Sequence, residues 1–140
     1  MKKITLLLLV NTLLIPVILL AACNQTMETT PKLENTTWIL QSYGQPEGLE
    51  SVLKGIGFIW IAPEVTAIFD NTTGQVSGFG GVNTYGGTYV LTDRKLSIKG
   101  IFLTDLGGPQ PLLDQEQEFL GLLRAAESFQ FIDSWLQINN

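Results

Sequence analysis

The chain lacks histidine altogether and has a single cysteine, Cys23, among its 140 residues. Without histidine, the Ser-His-Asp triad, most zinc sites and the usual proton shuttle at neutral pH are excluded. One cysteine cannot form a disulfide within the chain. The serines therefore have no histidine to activate them, and neither an enzymatic activity nor a bound cofactor or metal is expected.

Basic residues are also scarce, with 8 lysines and arginines against 13 aspartates and glutamates and a net charge of −5. Lys2 and Lys3 lie in a segment that we predict is removed, which leaves six basic residues and a net charge of −7. An acidic body lacks the basic patch that nucleic acid binding requires, so no nucleic acid partner is expected. The remaining length, about 118 residues, suits one domain.

The longest apolar run of the chain lies at its N-terminus, in the sequence MKKITLLLLVNTLLIPVILLAAC. Positive charge followed by an apolar stretch from Ile4 to Leu20 is typical of a secretory signal, although about 20 apolar residues could also form a retained anchor helix. Ala21 and Ala22 provide the small residues that a signal peptidase requires. We therefore predict a signal peptide over residues 1–22.

The residues Leu20-Ala21-Ala22-Cys23 resemble the lipobox of bacterial lipoproteins, in which the cysteine thiol is lipidated and the chain is then cut before it. The resemblance implies that Cys23 carries acyl chains such as palmitate and anchors the protein to a membrane, because each buried CH₂ contributes about 0.8 kcal/mol. Asn24 follows the cysteine, which by resemblance to lipoprotein sorting favours the periplasmic side of the outer membrane in a two-membrane bacterium. In a one-membrane bacterium the protein would lie on the outer face of the cytoplasmic membrane.

A polar, threonine-rich stretch comes next, and we interpret residues 23–34 as a flexible tether and residues 35–140 as one folded domain. Alternating and β-branched patterns in the domain predict strands, which are separated by turn clusters such as residues 71–74. The predicted strands cover residues 37–43, 64–70, 75–80, 87–93, 95–102, 129–133 and 135–138. In one of them, Leu96, Ile98 and Gly100 are expected to share a face.

Past Pro111 the apolar spacing becomes helical, through Leu112, Phe119, Leu122, Leu123 and Ala126. Asp114 and Gln117 are spaced as a capping box, with Glu116 and Glu118 as solvated acids of the first turn. The predicted fold class is α+β, mainly antiparallel β. We expect a small twisted sheet or partly closed barrel of six or seven strands, with one helix before the final hairpin.

The stretch VSGFGGVNTYGGTY, from Val76 to Tyr89, resembles the central segment of the META domain, known also from HslJ-like heat-shock lipoproteins. The resemblance covers nearly all of the predicted domain, and its motif residues are Trp38, Gly78, Gly81, Asn83, Tyr85, Gly87, Tyr89 and Thr104. It implies links to heat stress, secretion or drug tolerance, with no agreed molecular activity.

The family often has a cysteine before the motif asparagine and a second one after the threonine, where this chain has Val82 and Gly107-Gly108. The joint absence of both cysteines suggests that these two positions face each other in the fold. A disulfide there would typically add about 2–4 kcal/mol, so this chain is expected to rely on packing alone.

The motif residues are predicted to be structural. The glycines suit positions of positive φ or close backbone approach, Asn83 suits a turn, and Tyr85 and Tyr89 are expected to pack with wet hydroxyl tips rather than bind a ligand. Phe58 and Trp60 lie in the apolar run of residues 52–62. We expect these two in the core, with a contact patch for a membrane or a partner as the alternative.

These observations predict a non-enzymatic, lipid-anchored protein of the cell envelope with a binding or envelope-stress role. Two alternatives stay open: a carrier of a small hydrophobic ligand, and an inhibitor or adaptor that docks on another envelope protein through residues 52–62. Membrane attachment through Cys23 is common to all three.

Overall fold

The computed structural model describes residues 31–45, 48–52 and 64–140, except for the side chains of Gln45 and Gly48, together with the backbone of residues 5–10. These ranges contain nine strands and one helix: β1 Thr5–Val10, β2 Thr37–Gln45, β3 Gly48–Ser51, β4 Thr66–Asp70, β5 Gln75–Phe79, β6 Thr84–Thr92, β7 Lys95–Leu103, α1 Gln110–Arg124, β8 Ser128–Ile132 and β9 Trp135–Asn139. Cys23, Phe58 and Trp60 lie outside the described residues, so what the sequence predicts for them stays a prediction.

The strands form one antiparallel sheet in the order β9-β8-β7-β6-β5-β4-β2-β3, and β1 pairs with both β9 and β2. The strands from β2 to β9 therefore make a curled half-barrel, and β1 bridges the edges of β2 and β9. Mainly antiparallel strands with one helix before the final hairpin confirm the predicted fold class.

The sheet has more strands than the six or seven predicted, since eight lie beyond the predicted signal peptide. The additional one is β3, which pairs with the end of β2 and lies outside all of the predicted strands. Gly44, with a φ of +118°, lets β2 continue to Gln45 before the chain reverses.

The predicted alternation along β7 holds at Leu96 and Ile98, which are buried, and fails at Gly100. Gly100 is exposed and has a φ of +62°, and the register between β6 and β7 shifts beside it, as at a β-bulge. Beyond the bulge, Phe102 is 69% exposed. The prediction that Gly100 shares the face of Leu96 and Ile98 is therefore wrong.

The helix α1 begins at Gln110, earlier than predicted, with Pro109 at its N-cap and a proline in its first turn. Proline is favoured there because its fixed φ suits the helix and its missing N–H would have no intrahelical partner. The predicted capping box at Asp114 and Gln117 is wrong, since Asp114 lies a full turn inside the helix. Glu116 is consequently not a solvated acid of the first turn but is buried.

The core lies between the inner face of the curled sheet and α1. Its largest side chains, Trp38, Phe69 and Phe119, have no exposed surface. Trp38 also donates its indole N–H to the carbonyl oxygen of Leu33 at 2.9 Å, and Leu33, at the end of the predicted tether, is itself buried. Among the described residues, no helix has the length and apolar character needed to cross a membrane.

Candidate functional site

The motif asparagine, Asn83, is the centre of a buried hydrogen-bond network. Its Nδ2 donates to Oε1 of Glu116 at 2.8 Å and to the carbonyl oxygen of Leu106 at 3.3 Å. Its Oδ1 accepts from the hydroxyl of Thr104 at 2.8 Å and from the backbone N–H of Leu106 at 2.7 Å. These bonds join the loop before β6, the segment after β7 and α1. Asn83 lies in the bend of residues 81–83 before β6, as predicted for a turn residue, but its φ is not positive and it is 3% exposed.

The carboxylate of Glu116 completes this network from the helix side. Its Oε2 accepts from the backbone N–H groups of Val82, at 3.0 Å, and Asn83, at 2.6 Å. Successive backbone N–H groups directed at one anion form a nest, a common anion-binding concavity. Gly80 leaves room for the carboxylate, since a Cβ there would lie 2.6 Å from Oε2, and Gly81 turns the loop with a φ of +123°. The protein therefore fills this anion site with its own side chain.

The motif residues Gly78 and Tyr85 meet at the backbone of β4. The hydroxyl of Tyr85 donates to the carbonyl oxygen of Thr66 at 2.8 Å, and a Cβ on Gly78 would overlap that same oxygen. The ring of Tyr85 packs edge-on against Phe119 of α1, with centroids 5.7 Å apart. The predicted close backbone approach at Gly78 is confirmed. The prediction that the hydroxyl of Tyr85 is exposed to solvent is wrong.

Tyr89 lies at the far end of the same strand and ties the start of the domain to the sheet. Its hydroxyl donates to Oε1 of Glu34 at 2.7 Å, and its ring packs edge-on against Phe69 with centroids 5.3 Å apart. Tyr89 is itself buried, and this bond connects its hydroxyl to the segment that precedes β2.

The three tyrosines of the chain, Tyr43, Tyr85 and Tyr89, all have a raised pKa. Burial is the main cause at each, and the carboxylates of Glu50 beside Tyr43 and Glu34 beside Tyr89 raise the pKa further. Folding thus favours the neutral phenols, so the stability they contribute is present below the unfolded pKa of about 10 and is lost as the pH rises above it.

We expect an ultraviolet titration of the folded protein to show little tyrosinate at pH values near about 10, where free tyrosine is half ionised. At higher pH, tyrosinate should increase together with the loss of tryptophan fluorescence, because unfolding releases the phenols. A Tyr85→Phe variant should show the same late onset with a smaller amplitude. A half-ionised folded protein at that pH would contradict the expectation.

Val82 and Gly108 lie directly against each other. A Cβ on Gly108 would be 3.6 Å from Cβ of Val82 and 2.8 Å from its Cγ1. The prediction that these two positions face each other is therefore confirmed for Gly108. A Cβ separation of this size is within the range of about 3.5–4.5 Å that disulfides use.

A shallow groove of about 340 Å³ lies on the outer face of strands β5, β6 and β7. One wall is the ring of Phe102, which lies over Gly86 so closely that a Cβ there would be 2.7 Å from the ring. None of the residues that line the groove is charged. Leu103 also lines the groove and is exposed, so Phe102 and Leu103 form an apolar outer patch that no sequence pattern predicts.

The described residues contain no cluster of three or more potential metal ligands. Ser51 precedes Lys54 at the Ser-x-x-Lys spacing of some hydrolases, but Ser51 is an exposed residue at the end of β3 and Lys54 lies outside the described ranges. The buried polar groups of Asn83 and Glu116 are bound to each other, so their arrangement holds the fold together.

The fold and the network define a class of protein: an antiparallel half-barrel whose single described helix is fastened to the sheet by an Asn–Glu pair. The family model described as META domain matches residues 31–140, and the chain belongs to the META domain family. A solved structure described as "NMR structure of the protein from Burkholderia xenovorans" is similar to this chain, with a TM-score of 0.52 and 19% identity over 86% of this chain and 97% of that chain. At this identity the likeness shows the fold alone. None of the curated proteins compared with the chain matches it.

Proposed function

We propose that this META-domain protein is a non-enzymatic, lipid-anchored protein of the cell envelope that acts by binding, in a role connected with envelope stress. The observation that carries the proposal is the short separation between the lipobox-like sequence Leu20–Cys23 and Leu33, where the buried part of the domain begins. Nine residues lie between Cys23 and Leu33, and the ten steps along the chain span only about 35 Å even when fully extended. An acylated Cys23 would therefore keep the domain beside the bilayer.

The internal use of the polar motif residues supports a role without catalysis. Asn83, Glu116, Tyr85 and Tyr89 are all hydrogen-bonded within the domain, which leaves none of them to act on a substrate. The described interior is filled by side chains such as Trp38, which weighs against the alternative of a carrier for a small hydrophobic ligand. The exposed apolar patch around Phe102 supports the other alternative, an adaptor that docks on an envelope protein.

The location follows from the anchor. In a two-membrane bacterium we place the protein on the periplasmic side of the outer membrane, and in a one-membrane bacterium on the outer face of the cytoplasmic membrane. Its body is acidic, so membrane attachment depends on the acyl chains and not on attraction to anionic lipid headgroups.

Labelling with a palmitate analogue in the native host tests the anchor. We expect the wild-type protein to carry the label in the membrane fraction and to begin at residue 23. A Cys23→Ala variant should lose the label completely and retain residues 1–22, because lipidation precedes cleavage at a lipobox.

A Thr29→Ala variant, altered in the predicted tether, is the matched control and should behave as wild type. An unlabelled wild-type protein, or one whose Cys23 is found unmodified by mass spectrometry, would refute the proposal.

A further inference from the structure

Strand β1 occupies a slot between two strands that the rest of the fold leaves unpaired with each other. It pairs with β2 from Thr5 opposite Gly44 to Val10 opposite Trp38, and with β9 from Thr5 opposite Asn139 to Leu9 opposite Trp135. With a strand spacing of about 4.8 Å, β2 and β9 lie about two spacings apart at this slot. One extended chain therefore satisfies both edges.

The segment in the slot belongs to the predicted signal peptide. If cleavage before Cys23 removes it, the facing edges of β2 and β9 lose their shared partner and expose backbone N–H and C=O groups. The described residues offer no other strand that pairs with both edges. We propose that the processed protein uses this slot, bounded by Trp38–Gly44 and Trp135–Asn139, to bind an extended apolar peptide strand of a partner protein. The inference deepens the proposed binding function and rests on it, because removal of the signal peptide opens the slot.

The register specifies what such a strand must look like. The position of Leu8 is opposite Leu40 and Leu136, and the position of Leu6 is opposite Tyr43 and Ile138. These four partners are buried core residues. Residues directly opposite each other share a face of the sheet, so a guest strand needs apolar residues at these alternate positions.

The chemistry of the slot favours a peptide over a lipid chain. Both edges present rows of backbone donors and acceptors, and an acyl chain can pair with none of them. A buried backbone group left without a partner is strongly unfavourable. A peptide strand satisfies both rows, as β1 does, and this is the geometry of recognition by strand addition.

The probe is a synthetic peptide of residues 4–11, ITLLLLVN, with two added lysines for solubility and a fluorophore. It is titrated against the processed protein, purified from membranes in mild detergent and shown by mass spectrometry to begin at Cys23. Binding is followed by fluorescence anisotropy, and the bound site by hydrogen exchange of backbone amides. We expect binding, with slowed exchange on both β2 and β9.

Two variant peptides of identical composition provide the matched control. Replacing Leu8 by serine alters a position opposite the buried Leu40 and Leu136, and should weaken binding at least about tenfold. Replacing Leu7 by serine alters a position opposite the polar residues Ser42 and Gln137, and should change the affinity by less than about threefold. Equal weakening by both replacements would show unspecific apolar adhesion and would overturn the proposal.

Two further measurements, one on the uncleaved precursor and one with a fatty acid, distinguish a peptide slot from the other possibilities. The uncleaved Cys23→Ala precursor should bind the peptide far more weakly, because its own β1 fills the slot. Equal binding would overturn the inference.

A single-chain fatty acid should not slow the exchange of backbone amides on β9. If it protects β9 as well as the peptide does, the slot is a lipid site and the inference is overturned. A protein that retains residues 1–22 in the native host would refute the proposed function, whereas a processed protein that binds no peptide would refute this inference alone.

Discussion

Replacing Asn83 by alanine is expected to lower the free energy of unfolding by about 3–4 kcal/mol, a large part of the stability of a single domain. The variant loses a hydrogen bond to the carboxylate of Glu116 and the bonds from Thr104 and Leu106 to Oδ1. Bonds to a charged group contribute about 1.5–3 kcal/mol each and neutral ones about 1 kcal/mol. Urea unfolding of the chain from Asn24 onward, followed by tryptophan fluorescence, measures the change.

An Asn71→Ala variant is the matched control, because Asn71 also makes side-chain hydrogen bonds but is exposed. It should change the stability by no more than about 0.5 kcal/mol. If Asn83→Ala is as mild as this control, the network around Glu116 does not stabilise the fold.

An Asn83→Asp variant tests the charge of the same network. It preserves an acceptor for Thr104 and Leu106 but places a second carboxylate where Nδ2 now contacts Oε1 of Glu116. Two carboxyl groups at that distance cannot both be ionised without a large cost in free energy, so one of them takes up a proton. The deficit in stability relative to wild type should therefore be largest near neutral pH and should shrink as the pH is lowered.

The sequence predicts the strands and the final hairpin well because their alternation reflects burial on one face. It misses the role of Glu116, although Leu112, Glu116, Phe119 and Leu123 share the helical spacing that marks the buried face. The spacing of Asp114 and Gln117 predicts a capping box, which would put Glu116 in the first turn of the helix. The helix in fact begins at its prolines, and only the tertiary fold brings the loop N–H groups of residues 82 and 83 to the carboxylate.

The outer patch at Phe102 is missed for a different reason. A bulge changes which side chains face the core, and at Gly100 the only local signal is a glycine inside a strand pattern. The slot between β2 and β9 is likewise invisible in the sequence, because the two strands lie almost a hundred residues apart in the chain. Pairings over such distances follow from the closure of the sheet and not from any local pattern.

A disulfide between Val82→Cys and Gly108→Cys is expected to raise the free energy of unfolding by about 3–4 kcal/mol, since it closes a loop of roughly 27 residues in the unfolded chain. The Cβ separation of 3.6 Å suits the bond without movement of the backbone. The chain from Asn24 onward has no other cysteine, so thiol titration reports the new bond directly. The gain should appear as a higher urea midpoint in the oxidised variant and should vanish on reduction.

The single variants show why both replacements are needed. Gly108→Cys alone places a Cβ 2.8 Å from Cγ1 of Val82, so it should destabilise the protein by overpacking, by about 1–3 kcal/mol. Val82→Cys removes that methyl group and makes room, so the reduced double variant should be more stable than Gly108→Cys alone. Thiols that stay free under oxidising conditions would mean that the segments before β6 and before α1 do not meet as described. A bridged variant with an unchanged midpoint would mean instead that strain in the native state offsets the entropy lost by the unfolded chain.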